Sequence, residues 1–215
     1  MLLTLVPYTL ISGLLCLMDN IALFYLAMLF WIPFYWFAFH TAIRHWRRVG
    51  SRAFMIALPV WLTFAVAIVL TRHDILSRRL ERNSLTWIVG VVLFSTASWL
   101  DVQTRRIFGW RRLVGVTELN TQHHLCGVVR SGIYGRVRHP RYLLYMLMIM
   151  SMAFLTGAVA IFLLAFLSIL LYQVVAPLEE RELLDQYGPR YAAYRQSVPR
   201  FVPHFGRTPE NRISS

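Results

Sequence analysis

Long apolar runs alternate with short polar breaks along the chain, a pattern that predicts membrane helices. Residues 2–18 and 21–39 are almost wholly apolar, and Asp19 and Asn20 separate them. At 1.5 Å per residue these runs are about 25 to 28 Å long, which is roughly the thickness of a bilayer core. We therefore expect a helical hairpin that turns at Asp19 and Asn20, with Pro33 kinking its second helix.

Two further apolar runs follow. Residues 53–70 contain Pro59, and residues 85–100 end before Asp101. Each run is apolar along its length, so we expect each to form a further membrane helix. Residues 1–100 are thus expected to form four apolar helices.

The longest apolar run covers residues 142–176 and is interrupted near Thr156 and Gly157. It is too long for one spanning helix, so it predicts a hairpin of two helices that returns to the membrane face it left. Pro140 suits the first turn of the first helix, where a missing N–H costs nothing. Pro177 is expected to mark the end of the second helix.

The remaining chain is expected to contain a short helix over residues 178–187, ended by Gly188, and a frayed tail after Pro203. The sequence thus predicts a single-domain, all-α integral membrane protein with about six transmembrane helices. Its expected parts are the four apolar helices (1–100), a basic loop with the cofactor motif (101–141), the hairpin (142–176) and a segment that closes the cofactor site (177–215).

Composition supports membrane insertion, because the chain is 57% hydrophobic and 15% charged, with a mean hydropathy of +0.52. All 22 basic residues are arginine, and they outnumber 10 acids. Their positions between apolar runs indicate cytoplasmic loops and lipid headgroups rather than nucleic acid. Two cysteines are too few for a disulfide framework.

The distribution of arginine gives an expected sidedness. The loops at 44–52 and 72–82 are both rich in arginine and do not decide the orientation. The stretch 101–141 carries eight arginines against Asp101 and Glu118. We therefore expect this face to be cytoplasmic, with a bacterial inner membrane as the location.

Polar groups cluster at the two ends of the predicted hairpin. Glu179 and Glu180 are costly at a membrane helix end unless they meet a cation or water, and they could be solvated acids paired with arginine. His139 could be an interfacial side chain, and the nearby tyrosines an aromatic belt. Together these groups suit a zwitterion: an acid for an ammonium, histidine or arginine for a carboxylate, and tyrosine for an aromatic base or a sulfonium. S-adenosylmethionine has these features.

The motifs in this region also occur together in a known family. The order and spacing of these motifs resemble the isoprenylcysteine carboxyl methyltransferases, which are relatives of the phospholipid methyltransferases. The resemblance covers roughly residues 125–204, and its motifs are Gly132-x-Tyr134-x-x-x-Arg138-His139-Pro140-x-Tyr142, Glu179-Glu180-x-x-Leu183, Tyr187-Gly188-x-x-Tyr191-x-x-Tyr194 and Val198-Pro199-Arg200-Phe201-x-Pro203.

The resemblance implies a membrane methyltransferase without a Rossmann domain, holding S-adenosylmethionine between the hairpin end and the C-terminal segment. Glu179 or Glu180 would take the amino group of the cofactor, and Tyr134 would line its pocket. The backbone from Cys126 to Val129 corresponds to a weaker contact stretch. The full set of cofactor-binding positions implied is Val128, Val129, Tyr134, Arg138, His139, Pro140, Tyr142, Glu179 and Glu180.

One position departs from the family. The prenylcysteine enzymes carry a substrate-contacting arginine four residues before the first matching glutamate, where this chain has Val175. A prenylcysteine carboxylate would lose that countercharge, so the acceptor is expected to be another lipophilic or small molecule. Relatives of this family also methylate small thiols and lipids.

Two other functional classes stay open. The membrane sterol and steroid reductases also carry a His-Pro-x-Tyr element and bind NADPH, but the acids of this chain suit a cationic cofactor better than a phosphorylated one. A non-enzymatic membrane subunit is the third interpretation. The sequence assigns no metal site, catalytic base or oligomeric state.

Overall fold

The computed structural model describes residues 8–42, 45, 46, 48, 53–113 and 127–203, with side chains for all of these except 8–11, 53, 54 and 108–113. Every secondary-structure element named in these residues is a helix, which confirms the all-α prediction. The expectations for Cys126, the tail after Pro203 and the middle of the 101–141 stretch lie outside the described residues. The elements are α1 (Tyr8–Leu29), α2 (Ile32–Thr41), α3 (Ala53–Leu70), α4 (Arg72–Ser77), α5 (Ser84–Leu113), a 3-10 turn (Gly132–Gly135), α6 (Pro140–Thr156), α7 (Val159–Tyr187) and α8 (Pro189–Ser197).

The predicted hairpin turn at Asp19 and Asn20 is wrong, because both residues lie inside α1. The Asp19 carboxylate is paired with Arg79, whose Nη2 is 2.8 Å from Oδ2, so its charge is compensated without a loop. The helical assignment is instead interrupted at residues 30–31, just before Pro33. α1 and α2 together make one apolar stretch, Ser12–Thr41, that is long enough to cross a membrane.

The prediction for the third apolar run is confirmed, and the prediction for the fourth is partly wrong. α3 has the predicted bounds and includes Pro59. The prediction that Asp101 ends the following helix is wrong, because α5 continues to Leu113. Arg105, one turn later, places Nε 2.8 Å from the Asp101 carboxylate and keeps that acid paired on the helix surface.

The helical hairpin of α6 and α7 is confirmed. α6 begins at Pro140, and the turn falls at Gly157, whose φ of +69° is one that glycine adopts without strain. A side chain at Gly157 would also meet the Leu80 carbonyl oxygen at 2.9 Å, and the Leu80 N–H donates to the Gly157 carbonyl at 2.9 Å. The loop after α4 therefore packs directly on the tip of the hairpin.

The predicted boundary at Pro177 is wrong. α7 runs through Pro177 and ends at Tyr187, so residues 178–187 do not form a separate helix. Losing one amide donor at Pro177 does not end the helix here. As a result, Glu179 and Glu180 share one continuous helix with Tyr172 and Val175. The end of this helix, before Gly188 and Pro189, is where the sequence predicts it.

α6 is the central helix of the fold and packs against α1, α5 and α7, while α2 packs against α7. An apolar core that includes Leu26, Ile149 and Ile161 fills the interior towards the hairpin tip. A separate cluster, which we call the aromatic cluster, lies towards the other end. Its buried members are Trp36, Phe39, Tyr142, Met146, Tyr172, Val175 and Ala176.

By length and composition, three helical stretches of the described chain could cross a membrane: Ser12–Thr41, Ser84–Ile107 and Val159–Tyr187. Met55–Leu70 and Pro140–Thr156 are shorter apolar helices. Many apolar side chains on these helices face outward, which is expected where lipid replaces water. The protein is therefore a membrane protein.

Candidate active site

The Glu180 carboxylate is the centre of the polar cluster at the open end of the hairpin. Its side chain is 3% exposed, and it accepts hydrogen bonds from Arg138, His139 and Arg200. The nitrogen-to-Oε1 distances are 3.0 Å for Arg138 Nη2, 3.1 Å for His139 Nε2 and 2.9 Å for Arg200 Nε. Arg200 Nη2 also donates to Oε2 at 2.9 Å. The idea that Glu180 is a solvated acid is therefore wrong, although its pairing with arginine was expected.

Glu180 joins three separate segments of chain, and the backbone reinforces this junction. The N–H groups of Arg138 and His139 donate to the carbonyls of Pro199 and Arg200, at 2.9 and 3.1 Å. Arg138 Nη1 also donates to the Val198 carbonyl at 2.8 Å. The segment after α8 is thus held against the start of α6, and its expected role in closing a cofactor site stays a prediction.

His139 lies between the two glutamates. Its Nδ1 is 3.3 Å from Glu179 Oε2, and its Nε2 is 3.1 Å from Glu180 Oε1. Burial lowers the pKa of the His139 imidazole, but the neighbouring charges of Glu179 and Glu180 raise it above its ordinary value. Both ring nitrogens face these carboxylates, so His139 is poorly placed to accept a proton from another group.

Glu179 is less well satisfied than Glu180. Its Oε2 is buried and has no hydrogen-bond partner among the described residues, although His139 Nδ1 lies 3.3 Å away. Tyr142 interacts with the same carboxylate. A buried carboxylate oxygen without a donor is unfavourable. Glu179 is thus the acid of the pair that has capacity to bind an additional cationic donor.

A column of rings stands beside these carboxylates. The His139 ring stacks on Tyr142 with centroids 5.3 Å apart and planes 3° apart, and Tyr142 stacks on Tyr172 at 4.8 Å. Phe201 lies on the His139 side of the column at 6.0 Å. The site therefore combines a partly satisfied acid with an electron-rich wall, which is favourable for a cation.

Of the other predicted positions, Tyr134 is buried next to the carboxylate cluster rather than within it. Its carbonyl accepts a 2.7 Å hydrogen bond from the Tyr194 hydroxyl, and burial raises the pKa of Tyr194 to about 12. Val128 packs on the cluster of Tyr191 and Tyr194, and Val129 packs on the cluster that includes Tyr134. These three positions form a layer behind Arg138 and His139.

Several residues at the site were not assigned by the sequence. Arg200 and Phe201 stood in a recognised motif without a role, and Tyr172 stood inside the apolar hairpin. His40 and Glu182 form a further pair in which His40 Nδ1 is 2.8 Å from Glu182 Oε1. The sequence did contain a signal for this pair. His40 is a lone histidine at the end of an aromatic run, and Glu182 is a third acid one turn after Glu179.

Comparison with known proteins gives a match at the level of a family. The sequence model of the phospholipid methyltransferase family matches residues 85–190, from α5 to the start of α8. This match confirms the methyltransferase resemblance. It spans Arg138, His139, Glu179 and Glu180. The phospholipid methyltransferase family implies a membrane methyltransferase.

A more distant relative is the cobalt-zinc-cadmium resistance protein CzcN of Cupriavidus metallidurans. It is 27% identical over 156 residues, which cover 67% of this chain and 70% of the relative. No solved structure matches the chain. Within the described ranges, no group of three or more histidine, cysteine, aspartate or glutamate side chains could hold a metal ion.

Proposed function

We propose that the protein is an S-adenosylmethionine-dependent methyltransferase that acts on a lipophilic acceptor without a carboxylate. The observation that carries the proposal is the buried Oε2 of Glu179, which lies beside His139 and has no hydrogen-bond partner in the part of the chain that the structure describes. Glu179 is one of the two glutamates, Glu179 and Glu180, of which the resemblance implies that one takes the cofactor amino group. The family match supports methyl transfer in general, and this oxygen supports the particular cofactor.

The residues present fit this cofactor when the two acids have different roles. Glu180 already accepts from three cations, so we assign it the task of fixing the C-terminal segment against α6. Glu179 is assigned the cofactor ammonium. The column of His139, Tyr142 and Tyr172 would form one wall of the cofactor site. We assign the lining of the cofactor site to Tyr134, Val128, Val129 and Pro140. Arg138 would support the site by holding Glu180.

Bound S-adenosylmethionine would supply a methyl group on a positively charged sulfur. The chain must then align an acceptor with that methyl group and keep water away. The aromatic cluster and α7 provide a dry wall for this purpose, and the ion pairs of Glu180 keep the closing segment in place. The acceptor would enter from the bilayer beside the hairpin, and the cofactor from the cytoplasmic face.

Val175 supports an acceptor without a carboxylate. Its side chain is fully buried in the aromatic cluster, where the prenylcysteine enzymes carry an arginine. Arg181 is exposed, and Arg195 gives its backbone carbonyl to Arg138. An unpaired substrate carboxylate next to Val175 would have to be desolvated at a cost of several kcal/mol, on the order of the penalty for a buried ion.

Isothermal titration calorimetry of the detergent-solubilised protein tests the cofactor. We expect binding of S-adenosylmethionine and S-adenosylhomocysteine, weakened at least about tenfold by Glu179→Gln, since a charged hydrogen bond is typically worth 1.4 kcal/mol or more. Asp185→Asn is the matched control, because Asp185 is an exposed acid on the same helix. Binding of NADPH instead would support a reductase, and binding of neither would support a non-enzymatic subunit.

A further inference from the structure

An apolar cleft opens on the side of the helix bundle, towards the hairpin tip and away from the candidate site. It has a volume of about 420 Å³ and lies between α3, α4, the first turns of α7 and the break between α1 and α2. Phe30, Ile68 and Ile75 in its walls are buried, whereas Leu163 is 65% exposed. The cleft is thus open to the outside, and its size is that of ligand pockets, about 300 to 1,000 Å³.

The surface of this cleft is apolar. Of the described residues that line it, only Thr71 has a polar side chain. The Thr71 hydroxyl donates to the Ala67 carbonyl at 2.7 Å, so it is already satisfied. Phe30 and Phe64 meet edge to face at 6.0 Å and form one wall. A space lined in this way favours hydrocarbon over a polar solute, because a polar group inside it would lose its hydrogen bonds to water.

The hydrocarbon available at this position is a lipid chain. The cleft lies between the apolar helix Met55–Leu70 and the stretch Val159–Tyr187, which is long enough to cross a membrane. Lipid tails are as apolar as leucine, so contact with the cleft alone gives little preference for one lipid over another. A preference must come from the headgroup.

Arg72 supplies a positive charge at the end of the cleft near the hairpin tip. It follows Thr71 directly, and it lies three residues before Ile75 on α4, so it shares a helix face with that cleft residue. Asp74 is two residues from Arg72 and therefore points to another side of the helix. The Arg72 guanidinium is exposed.

Arg78 supplies a second positive charge from the other side of α4. The Val159 N–H donates to the Arg78 carbonyl at 3.0 Å, which holds Arg78 next to the first turn of α7, where Ala160 lines the cleft. Arg78 is exposed, as Arg72 is. Unlike Arg79, which pairs with Asp19, neither arginine has an ion-pair partner among the described residues.

We propose that this cleft binds one acyl chain of an anionic phospholipid, whose phosphate group is held by Arg72 and Arg78. Basic groups beside a gap between membrane helices recognise anionic headgroups in this way. The lipid is a bound ligand and not the methyl acceptor, because the cleft lies near the hairpin tip and the candidate site lies at the open end of the hairpin. The proposal is therefore independent of the proposed function.

Native mass spectrometry of the detergent-solubilised full chain tests the site. The probes are phosphatidylglycerol and phosphatidylcholine with identical acyl chains, titrated separately, and the readout is the dissociation constant of the first bound lipid. We expect phosphatidylglycerol to bind at least about tenfold more tightly. Arg72→Gln and Arg78→Gln should each weaken its binding about fivefold, the effect of one arginine at a membrane surface. Arg181→Gln, an exposed arginine at the other end of the bundle, is the control.

A second pair of variants tests the cleft itself. Ala67→Phe places a ring in the cleft, and because Ala67 is exposed the ring displaces no packed side chain. The first phosphatidylglycerol should then bind no more tightly than later ones. Val66→Phe is the matched control, since Val66 is the exposed neighbour of Ala67 and does not line the cleft. Phosphatidylglycerol should raise the thermal unfolding temperature of Val66→Phe but not of Ala67→Phe.

Three results would overturn the proposal. Equal affinity for the two lipids would remove the role of charge, and unchanged affinity in Ala67→Phe would place the lipid elsewhere. A rise in unfolding temperature with inorganic phosphate alone, as large as with phosphatidylglycerol, would show that the arginines bind phosphate without the cleft.

Discussion

Replacing Glu180 by glutamine removes the charge that three cations share, and we expect this change to unfold the closing segment. Glutamine keeps the volume and one acceptor oxygen, so packing is little altered. The Arg138 and His139 side chains are 9% and 5% exposed, while Arg200 is 33% exposed. Arg200 can therefore turn to water, and His139 can release its proton, but Arg138 stays charged and buried.

The expected loss of stability follows from how exposed each of the three cations is. Removing one partner of a buried ion pair costs about 3 to 5 kcal/mol, whereas an exposed pair is worth about 0 to 1 kcal/mol. Only Arg138 can neither reach water nor lose its charge. We therefore expect Glu180→Gln to lower the free energy of unfolding by about 3 kcal/mol. Arg200→Gln should cost about 1 kcal/mol, since its guanidinium is partly solvated.

Equilibrium unfolding in mixed detergent micelles, followed by tryptophan fluorescence, is the assay. Asp185→Asn provides the baseline for loss of an exposed acid on the same helix. A loss of less than about 1 kcal/mol in Glu180→Gln would refute the reasoning, because it would mean that the carboxylate behaves as an exposed ion pair.

Three further predictions concern pH, topology and the acceptor. The pKa of His139 is raised in the folded protein, so its stabilising charge is fully present below about pH 6.5 and is lost as pH rises through the folded pKa. The stability difference between the unmodified protein and His139→Gln should therefore shrink in thermal unfolding as pH rises above about 6.5. Single cysteines at Arg130 and Arg181, in a cysteine-free background, should label from the same side of sealed vesicles, and labelling from opposite sides would mean that the hairpin does not return. A farnesylcysteine analogue should be methylated poorly and should improve at least about tenfold with Val175→Arg, if a countercharge is worth about 1.4 kcal/mol; efficient methylation by the unmodified protein would show that another cation replaces the missing arginine.

Most of the helical architecture followed from local signals. Run length and Thr156-Gly157 predicted the hairpin, and Pro140 predicted its first turn. The errors at Asp19 and Asp101 share one cause, since each acid was taken as a break and is instead neutralised by an arginine. Arg79 is 60 residues from Asp19, so no local pattern shows that pairing. Arg105 is only one turn from Asp101 and could have been weighed.

The site was predictable where its parts share a motif. The returning hairpin predicted that the polar groups at its two ends lie on one face, and Arg138 and His139 do contact the glutamates. The different burial of the two glutamates was not predictable, because it depends on which carboxylate faces Arg200 and the closing segment. The contact of His40 with Glu182 joins chain positions 142 residues apart and needed the packing of α2 on α7.

The central claim is that Glu179 receives the amino group of S-adenosylmethionine, and it is tested most directly by an experimental structure of the protein with S-adenosylhomocysteine. We predict that the amino nitrogen of the ligand lies within about 3 Å of Glu179 Oε2, with Glu180 still paired to Arg138 and Arg200. An amino group placed on Glu180, or a ligand bound away from both glutamates, would contradict the account.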